Sequence, residues 1–150
     1  MLKEIRMGIR EELLATGLVS PDELEGCTPE QIEVLTRSLG RPLPKAYEEF
    51  LLAMGHRAGC FMQGTDTFWR HLSWLREAAD ELLREDSAPP LPQSAFVFYM
   101  HQGYEFGFFD LEDGDDPPVY QYVQRWRAAR PATSSFSDYL AEMLKIHVTA

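Results

Sequence analysis

The sequence predicts an α+β fold: a single domain in which helices pack mainly on one face of an antiparallel or mixed β-sheet. Apolar residues recur at helical spacing through the first part of the chain. After three closely spaced prolines the spacing changes to the alternation of strands, and a last helical segment follows. Helices segregated from a run of strands favour this class over alternating βαβ units. A chain of 150 residues can bury one core without disulfides or metal.

The first helix is predicted near the N-terminus. Leu2, Ile5, Ile9 and Leu13 lie on one helical stripe because they recur three or four residues apart. Gly17 is predicted to end this helix, since glycine adopts the left-handed conformation common after a helix C-terminus. A connector is expected to follow.

The second helix has a defined start. Thr28 offers a capping hydroxyl, Pro29 suits the first helical position, and Gln31 completes a capping box. The helix is predicted to run to Gly40. Its apolar face comprises Ile32, Leu35 and Leu39.

The third helix lies within segment 40–55, GRPLPKAYEEFLLAMG. Pro44 is predicted to start it and Gly55 to cap it, because the residue before a proline avoids helical backbone angles. One broad apolar face is formed by Tyr47, Phe50, Leu51 and Met54.

A long fourth helix is predicted after a loop over 55–64 in which 60–62 could form a short strand. Thr65 or Asp66 is expected to cap this helix. Its apolar stripe would comprise Phe68, Leu72, Leu75, Ala79 and Leu82. Prolines at 89, 90 and 92 end it.

Three strands are predicted over 95–100, 104–111 and 119–123, where aromatic and β-branched residues alternate with others. Gln102–Gly103 can form a tight turn between the first two, and the acidic stretch 112–118 forms the next turn. These features indicate an antiparallel meander.

A closing helix is predicted after Ser134 or Ser135, either of which can act as the N-cap. Its buried face would comprise Phe136, Tyr139, Leu140 and Met143.

Composition excludes several function classes. The formal net charge of −10 repels phosphate backbones and anionic lipid, so no direct nucleic-acid binding and no membrane association are expected. The first residues lack the apolar core of a signal peptide, which favours a cytoplasmic location. Cys27 and Cys60 are far apart, without C-x-x-C spacing, and are interpreted as buried free thiols.

The pattern G-x-P-L-P-x-x-Y-x-x-F-L-x-x-x-G over 40–55 resembles the signature of the SUKH superfamily, which groups bacterial immunity proteins with Smi/Knr regulators of fungal cell-wall synthesis. Two later blocks resemble its sheet region and closing helix, namely 91–98 with Gly103, Phe106, Asp110 and 118–120, and Ser135 to Leu140. The resemblance extends from about Thr28 to Leu144, and the N-terminal helix and connector of residues 1–27 lie outside it.

The resemblance implies a non-catalytic domain that binds and neutralises a cognate bacterial toxin, such as a nuclease with a basic surface. The alternative that it implies is a general regulatory or interaction module. A monomer or weak homodimer is expected, with no cofactor and no metal. The acidic charge suits a basic partner because opposite potentials accelerate association.

Candidate partner-binding residues are exposed carboxylates and aromatic side chains. Carboxylates supply steering and arginine pairing, while aromatic rings act as anchors. Trp69 lies off the apolar stripe of its predicted helix, which makes it a candidate anchor, although packing against a loop is an alternative. The full set is Trp69, Tyr104, Glu112, Asp113, Asp115, Asp116, Tyr120 and Tyr122. For the three tyrosines, packing in the core is the alternative, because one alternating set of strand side chains must face the helices.

Blander interpretations compete at each cluster. The carboxylates over 112–116 lack the spacing of a calcium loop and are interpreted first as a solvated turn. The basic cluster at 125, 127 and 130 is interpreted first as a solvated edge and second as an anion contact. A metal-dependent hydrolase using His56, Cys60 or the carboxylates is a third hypothesis, and His71 and His101 could join such a site, but no second close pair of ligands supports it.

Overall fold

The computed structural model describes residues 8–149, in which five α-helices accompany antiparallel strands, as the predicted α+β class requires. The helices are α1 (Ile9–Ala15), α2 (Pro29–Leu39), α3 (Lys45–Met54), α4 (Leu72–Glu85) and α5 (Phe136–Thr149). The strands are β1 (Leu24–Glu25), β2 (Arg57–Ala58), β3 (Thr65–Asp66), β4 (Ala95–His101), β5 (Glu105–Asp110), β6 (Val119–Val123) and β7 (Arg130–Thr133).

The main sheet has five antiparallel strands in the order β3-β4-β5-β6-β7, so neighbours in sequence are neighbours in space. A separate two-stranded ribbon pairs β1 with β2, with Leu24 opposite Ala58. The sheet confirms the predicted antiparallel meander and adds one short strand at each edge.

Each face of the sheet packs against helices. Residues of α1, α2, α3 and α5 share one core with Phe96, Phe98 and Phe109 of the sheet. Residues of α4 share a second core with Val97 and Phe106 on the opposite face. Most helices therefore lie on one face, as predicted, and α4 covers part of the other.

Tyr47 of α3 lies at the centre of the larger core and has no exposed surface. Its ring centroid is 5.2 Å from that of Phe96, 5.2 Å from that of Phe109 and 5.4 Å from that of Phe136. Tilted and edge-on aromatic pairs at such distances are favourable beyond their burial. The predicted apolar face of α3 is confirmed, because Phe50, Leu51 and Met54 are also buried.

Several predicted helix ends are confirmed by their hydrogen bonds. The backbone N–H of Gln31 donates to Thr28 Oγ1 at 3.2 Å, and the N–H of Thr28 donates to Gln31 Oε1 at 2.9 Å. Gly40 ends α2 with a φ of 73°, where glycine is favoured. At the start of α5, Ser135 Oγ accepts the N–H of Asp138 at 3.0 Å.

The predicted start of the fourth helix is wrong. Thr65 and Asp66 form the edge strand β3 and pair with His101 and Met100. A 3₁₀ turn over Trp69–His71 follows, and the α-helix begins at Leu72. Cross-strand hydrogen bonds satisfy the backbone of residues whose side chains would otherwise suit a helix cap.

Other differences lie in short strands and at the N-terminus. The strand predicted at 60–62 is a turn, and β2 lies instead at 57–58. Leu13 of α1 is fully buried, which confirms its place on the apolar stripe, whereas Leu2 and Ile5 lie outside the described residues.

Candidate protein-binding surfaces

The acidic turn, Glu112 to Asp116, connects β5 to β6 and is held against two helices. The Asp116 carboxylate accepts the backbone N–H of Ser137 at 2.9 Å in the first turn of α5. The carbonyl of Asp115 accepts the N–H of Ala46 at 2.9 Å at the start of α3. Two of the predicted contact residues therefore also position helix N-termini.

Glu112 and Asp113 are the outward part of the acidic turn, and both are exposed. A Glu112 oxygen lies 3.4 Å from a guanidinium nitrogen of Arg41. An ion pair this exposed contributes at most about 1 kcal/mol, so a partner's cation could replace Arg41 at little cost.

The Trp69 groove is a concave surface between α2 and α4 with a volume of about 890 Å³. Its apolar lining includes Val34, Leu35, Leu39, Trp69, Leu72 and Leu111. Arg76 borders the groove: it pairs with Asp80 at 3.1 Å and donates to the carbonyl of Ala95 at 2.9 Å. The outer edge of β4 is thus partly covered by a side chain rather than by another strand.

The structure brings Trp69 and the acidic turn to one surface. Trp69 is half-buried, and its backbone N–H donates to the carbonyl of Gly55 at 2.7 Å. Arg41 lines the same groove and carries the contact to Glu112. Trp69 therefore lines the groove, and Glu112 of the acidic turn is connected to the same groove through Arg41.

Tyr104 lies elsewhere, at the tip of the β4–β5 hairpin, with 39% of its surface exposed. It borders a second concave surface of about 740 Å³ between this hairpin and α5, which we name the tyrosine cleft. Its lining includes Met62, Tyr99, His101, Tyr104, Glu105, Tyr139, Glu142, Met143, Ile146 and His147.

Tyr99 forms the inner wall of the tyrosine cleft. Its hydroxyl donates to Glu105 Oε2 at 2.6 Å, and its ring stacks on that of Tyr139 with centroids 5.6 Å apart. Burial, followed by the negative charge of Glu105, raises the pKa of Tyr139 far above its ordinary value. Burial is also the largest cause of the raised pKa of Tyr99. Gly107 makes this position possible, because a Cβ there would overlap the Tyr99 ring.

The two strand tyrosines point to the α4 face. Tyr120 is half-buried and stacks on Phe108 with centroids 5.5 Å apart. Tyr122 has no exposed surface, and its hydroxyl donates to Asp86 at 2.6 Å. The prediction that Tyr122 contacts a partner is therefore wrong: its ring belongs to the core and its hydroxyl to a link between α4 and β6.

The histidines and cysteines proposed for a metal site are dispersed among different partners. His56 Nε2 lies 2.9 Å from Gln31 Oε1, and His101 Nδ1 lies 3.1 Å from Thr65 Oγ1. Cys60 lies 3.7 Å from His147 Nε2 and is exposed. The prediction of a buried thiol is therefore wrong for Cys60, whereas Cys27 is buried. Over residues 8–149 no group of three or more such side chains is placed to hold a metal ion.

The basic cluster borders the loop after β6. Arg125 and Arg127 have φ values of 75° and 65°, which are uncommon for residues other than glycine. The N–H of Arg125 donates to Asp86 at 2.7 Å, and the guanidinium of Arg130 lies 4.0 Å from the ring centroid of Trp126. The Asp86 carboxylate therefore already accepts the hydrogen bond that the backbone N–H of Arg125 could otherwise offer to an external anion.

The tyrosine cleft was missed as a unit by sequence reasoning. Tyr99 and Tyr139 occupy positions that indicate core, and only the folded chain brings them beside Glu105. The available signals were the adjacent pair Tyr104–Glu105 at a predicted hairpin and the position of Glu142, three residues after Tyr139. Neither signal distinguishes a cleft from an ordinary exposed edge.

Comparison with known proteins adds one match. A family model described as the SMI1 / KNR4 family (SUKH-1) matches residues 26–142. No curated protein matches the chain significantly. None of the helices in the described residues is both long and apolar enough to span a membrane.

Proposed function

The chain belongs to the SMI1 / KNR4 family (SUKH-1), and on this premise we propose that it is a non-catalytic protein-binding domain that neutralises a cognate toxin by direct binding. Membership of this family supports an immunity or regulatory role, which the resemblance of segment 40–55 to the family signature also implies. We further propose that the protein acts in the cytoplasm as a monomer or weak homodimer.

The observation that carries this proposal is the juxtaposition of Trp69 with the acidic turn. The Trp69 groove offers apolar surface, including Val34 with 60% of its surface exposed. Glu112 adds negative charge beside the groove through its contact with Arg41. Interfaces are dominated by buried aromatic anchors, and complementary charge steers association.

The groove fits a toxin that presents an apolar side chain surrounded by basic residues. The apolar side chain would fill the space beside Trp69 and Leu72, and a neighbouring cation would take over the contact of Arg41 with Glu112. The net charge of −10 would attract such a surface before contact. A nuclease is the class of toxin whose own substrate requires a basic surface.

Co-expression tests the proposal. Each toxin candidate encoded beside this gene is expressed with and without the protein, and rescue of growth together with a complex in size-exclusion chromatography is expected from one of them. Failure of all neighbouring candidates either to bind or to be neutralised would refute toxin neutralisation.

Variants then test the groove. Val34→Lys is expected to weaken the complex about tenfold or more, because it places a cation in the groove against a basic partner. Trp69→Ala is expected to have a similar effect through loss of the anchor. Trp74→Ala is the matched control, since Trp74 is exposed on α4 and does not line the groove. Equal affinities for all three variants and the wild type would place binding elsewhere.

A regulatory module is the second candidate function, favoured by the same family match. Capture from an extract of the native cell distinguishes the two. A stable endogenous partner that is not toxic when expressed alone would support regulation, and growth rescue against a toxin would support immunity.

A further inference from the structure

We propose that the tyrosine cleft is a second contact site that accepts an arginine side chain of the partner protein. The inference rests on the proposed function only in assuming that a protein partner exists. The cleft lies between the β4–β5 hairpin and α5, whereas the Trp69 groove lies between α2 and α4, and the two share no lining residue.

The charge of the cleft is one-sided. Glu105 and Glu142 line it, and no lysine or arginine among residues 8–149 does. Neither carboxylate forms an ion pair with a lysine or arginine within residues 8–149. Elsewhere on the surface, carboxylates such as Glu33 and Asp80 pair with an arginine one helical turn away. The cleft therefore holds negative charge that a cation from outside can neutralise.

The Tyr139 hydroxyl is a second, independent sign of a ligand. Only 5% of the Tyr139 surface is exposed, and its hydroxyl forms no hydrogen bond within the described chain. This oxygen is not itself buried, since within the described residues only the Tyr47 hydroxyl is both buried and unpaired, so it is open to a donor that enters the cleft. A guanidinium N–H can donate to this oxygen while also donating to the nearby carboxylate of Glu105.

The walls of the cleft suit the rest of an arginine side chain. Tyr104 presents an exposed ring at the rim, on which a planar guanidinium can stack. Met62, Met143 and Ile146 provide apolar surface for the three methylene groups of the stem. The compact and strongly hydrated ammonium of lysine uses neither the planar stacking nor the forked hydrogen bonds, so arginine is the better fit.

A hexaarginine peptide tests the inference without any toxin. The full chain is titrated with this peptide by calorimetry at about pH 8 and at about 0.15 M salt, which screens distant charges. The double variant Glu105→Gln, Glu142→Gln is expected to raise the dissociation constant about tenfold. Gln at 105 keeps an oxygen that can accept from Tyr99, so the wall of the cleft is preserved.

The matched control is the double variant Glu77→Gln, Glu81→Gln. It makes the same change in net charge on the exposed side of α4, outside the cleft. Its dissociation constant is expected to change less than about twofold, because distant exposed charges are screened. Tyr104→Ala is expected to weaken binding about threefold through loss of stacking.

Backbone amide NMR shifts on addition of the peptide are expected to concentrate at 104–105, 139 and 142. Equal weakening by the two double variants, or shifts centred on the acidic turn, would overturn the inference and indicate attraction to the overall charge. Those results would leave toxin neutralisation standing. Conversely, selective arginine binding without any neutralised toxin would refute the proposed function and leave the arginine site intact.

Discussion

The hydroxyl of Tyr122 donates a 2.6 Å hydrogen bond to the carboxylate of Asp86, and the backbone N–H of Arg125 donates to the same oxygen at 2.7 Å. Asp86 caps the C-terminus of α4, whereas Tyr122 and Arg125 lie in and after β6. One carboxylate thus joins the helix on the second face of the sheet to a loop with an unusual backbone conformation.

This link predicts a pH-dependent stability. The hydrogen bond from Tyr122, and then that from Arg125, lower the pKa of Asp86 in the folded protein. A lowered pKa stabilises the fold above the unfolded value of about 4 and ceases to do so as the pH falls through the folded value. Asp86→Asn is therefore expected to reduce the free energy of unfolding at pH 7, with a difference that shrinks as the pH falls below about 4.

Urea unfolding at a series of pH values measures this difference. Asp113→Asn is the control, because Asp113 is an exposed residue of the acidic turn, and it should leave stability nearly unchanged throughout. A constant difference between Asp86→Asn and the wild type at every pH would show that ionisation of Asp86 does not contribute.

Removal of the buried Tyr47 hydroxyl is expected not to destabilise the fold, in contrast to loss of the Asp86 carboxylate. Its hydroxyl has no hydrogen-bond partner in the described structure, although the ring is central to the core. Tyr47→Phe keeps the ring and removes the unsatisfied group, so the free energy of unfolding should stay the same or rise by up to about 1 kcal/mol. Tyr122→Phe is the matched comparison and should destabilise, since that hydroxyl is bonded. Thermal unfolding of both variants measures the two effects. Clear destabilisation by Tyr47→Phe would show that its hydroxyl has a hydrogen-bond partner and would contradict the prediction.

The two thiols are expected to differ in reactivity. Burial, and then the charge of Glu25, raises the pKa of Cys27 to about 11, so little thiolate exists near neutral pH. Cys60 is exposed. A colorimetric disulfide reagent at about pH 8 should modify one thiol rapidly and the second only on unfolding. Cys60→Ser should abolish the fast phase, and a fast phase that survives in this variant would contradict the burial of Cys27.

Gly107 is expected to be intolerant of substitution although it lies in the interior of β5. A Cβ at this position would overlap the ring of Tyr99, so Gly107→Ala must displace the wall of the tyrosine cleft. Overpacking of this kind costs roughly 1–3 kcal/mol. Gly114→Ala is the control: Gly114 faces open space, so only its φ of 82° opposes alanine, at a cost of about 1 kcal/mol. Thermal unfolding that ranks Gly114→Ala as the more destabilising change would refute the steric argument.

Local signals in the sequence predicted the helices well. The capping box at Thr28 and the apolar face around Tyr47 each depend on residues close together in sequence, so the local sequence is enough to predict them. Gly55 was correctly placed at the end of α3 but for a different reason. Its φ of −61° needs no glycine, and the absence of a Cβ instead leaves room for the thiol of Cys27.

Features that depend on distant partners could not be predicted. Thr65 and Asp66 resemble helix caps, and only pairing with β4 makes them a strand. Strand β7 contains Pro131 and consists mostly of exposed residues, so the alternation of apolar and polar residues that indicates a strand is missing from its sequence. For the candidate surfaces, sequence reasoning identified Trp69 and the acidic turn separately, whereas the contact of Arg41 with Glu112, which connects the turn to the groove lined by Trp69, exists only in the folded chain.

The anchoring of the acidic turn bears on the thermodynamics of recognition. Because Asp115 and Asp116 are already bonded to Ala46 and Ser137, the segment loses little conformational entropy when a second protein contacts it. Association through this segment should therefore follow rigid-body kinetics, governed by diffusion and ionic strength and without a slow ordering step.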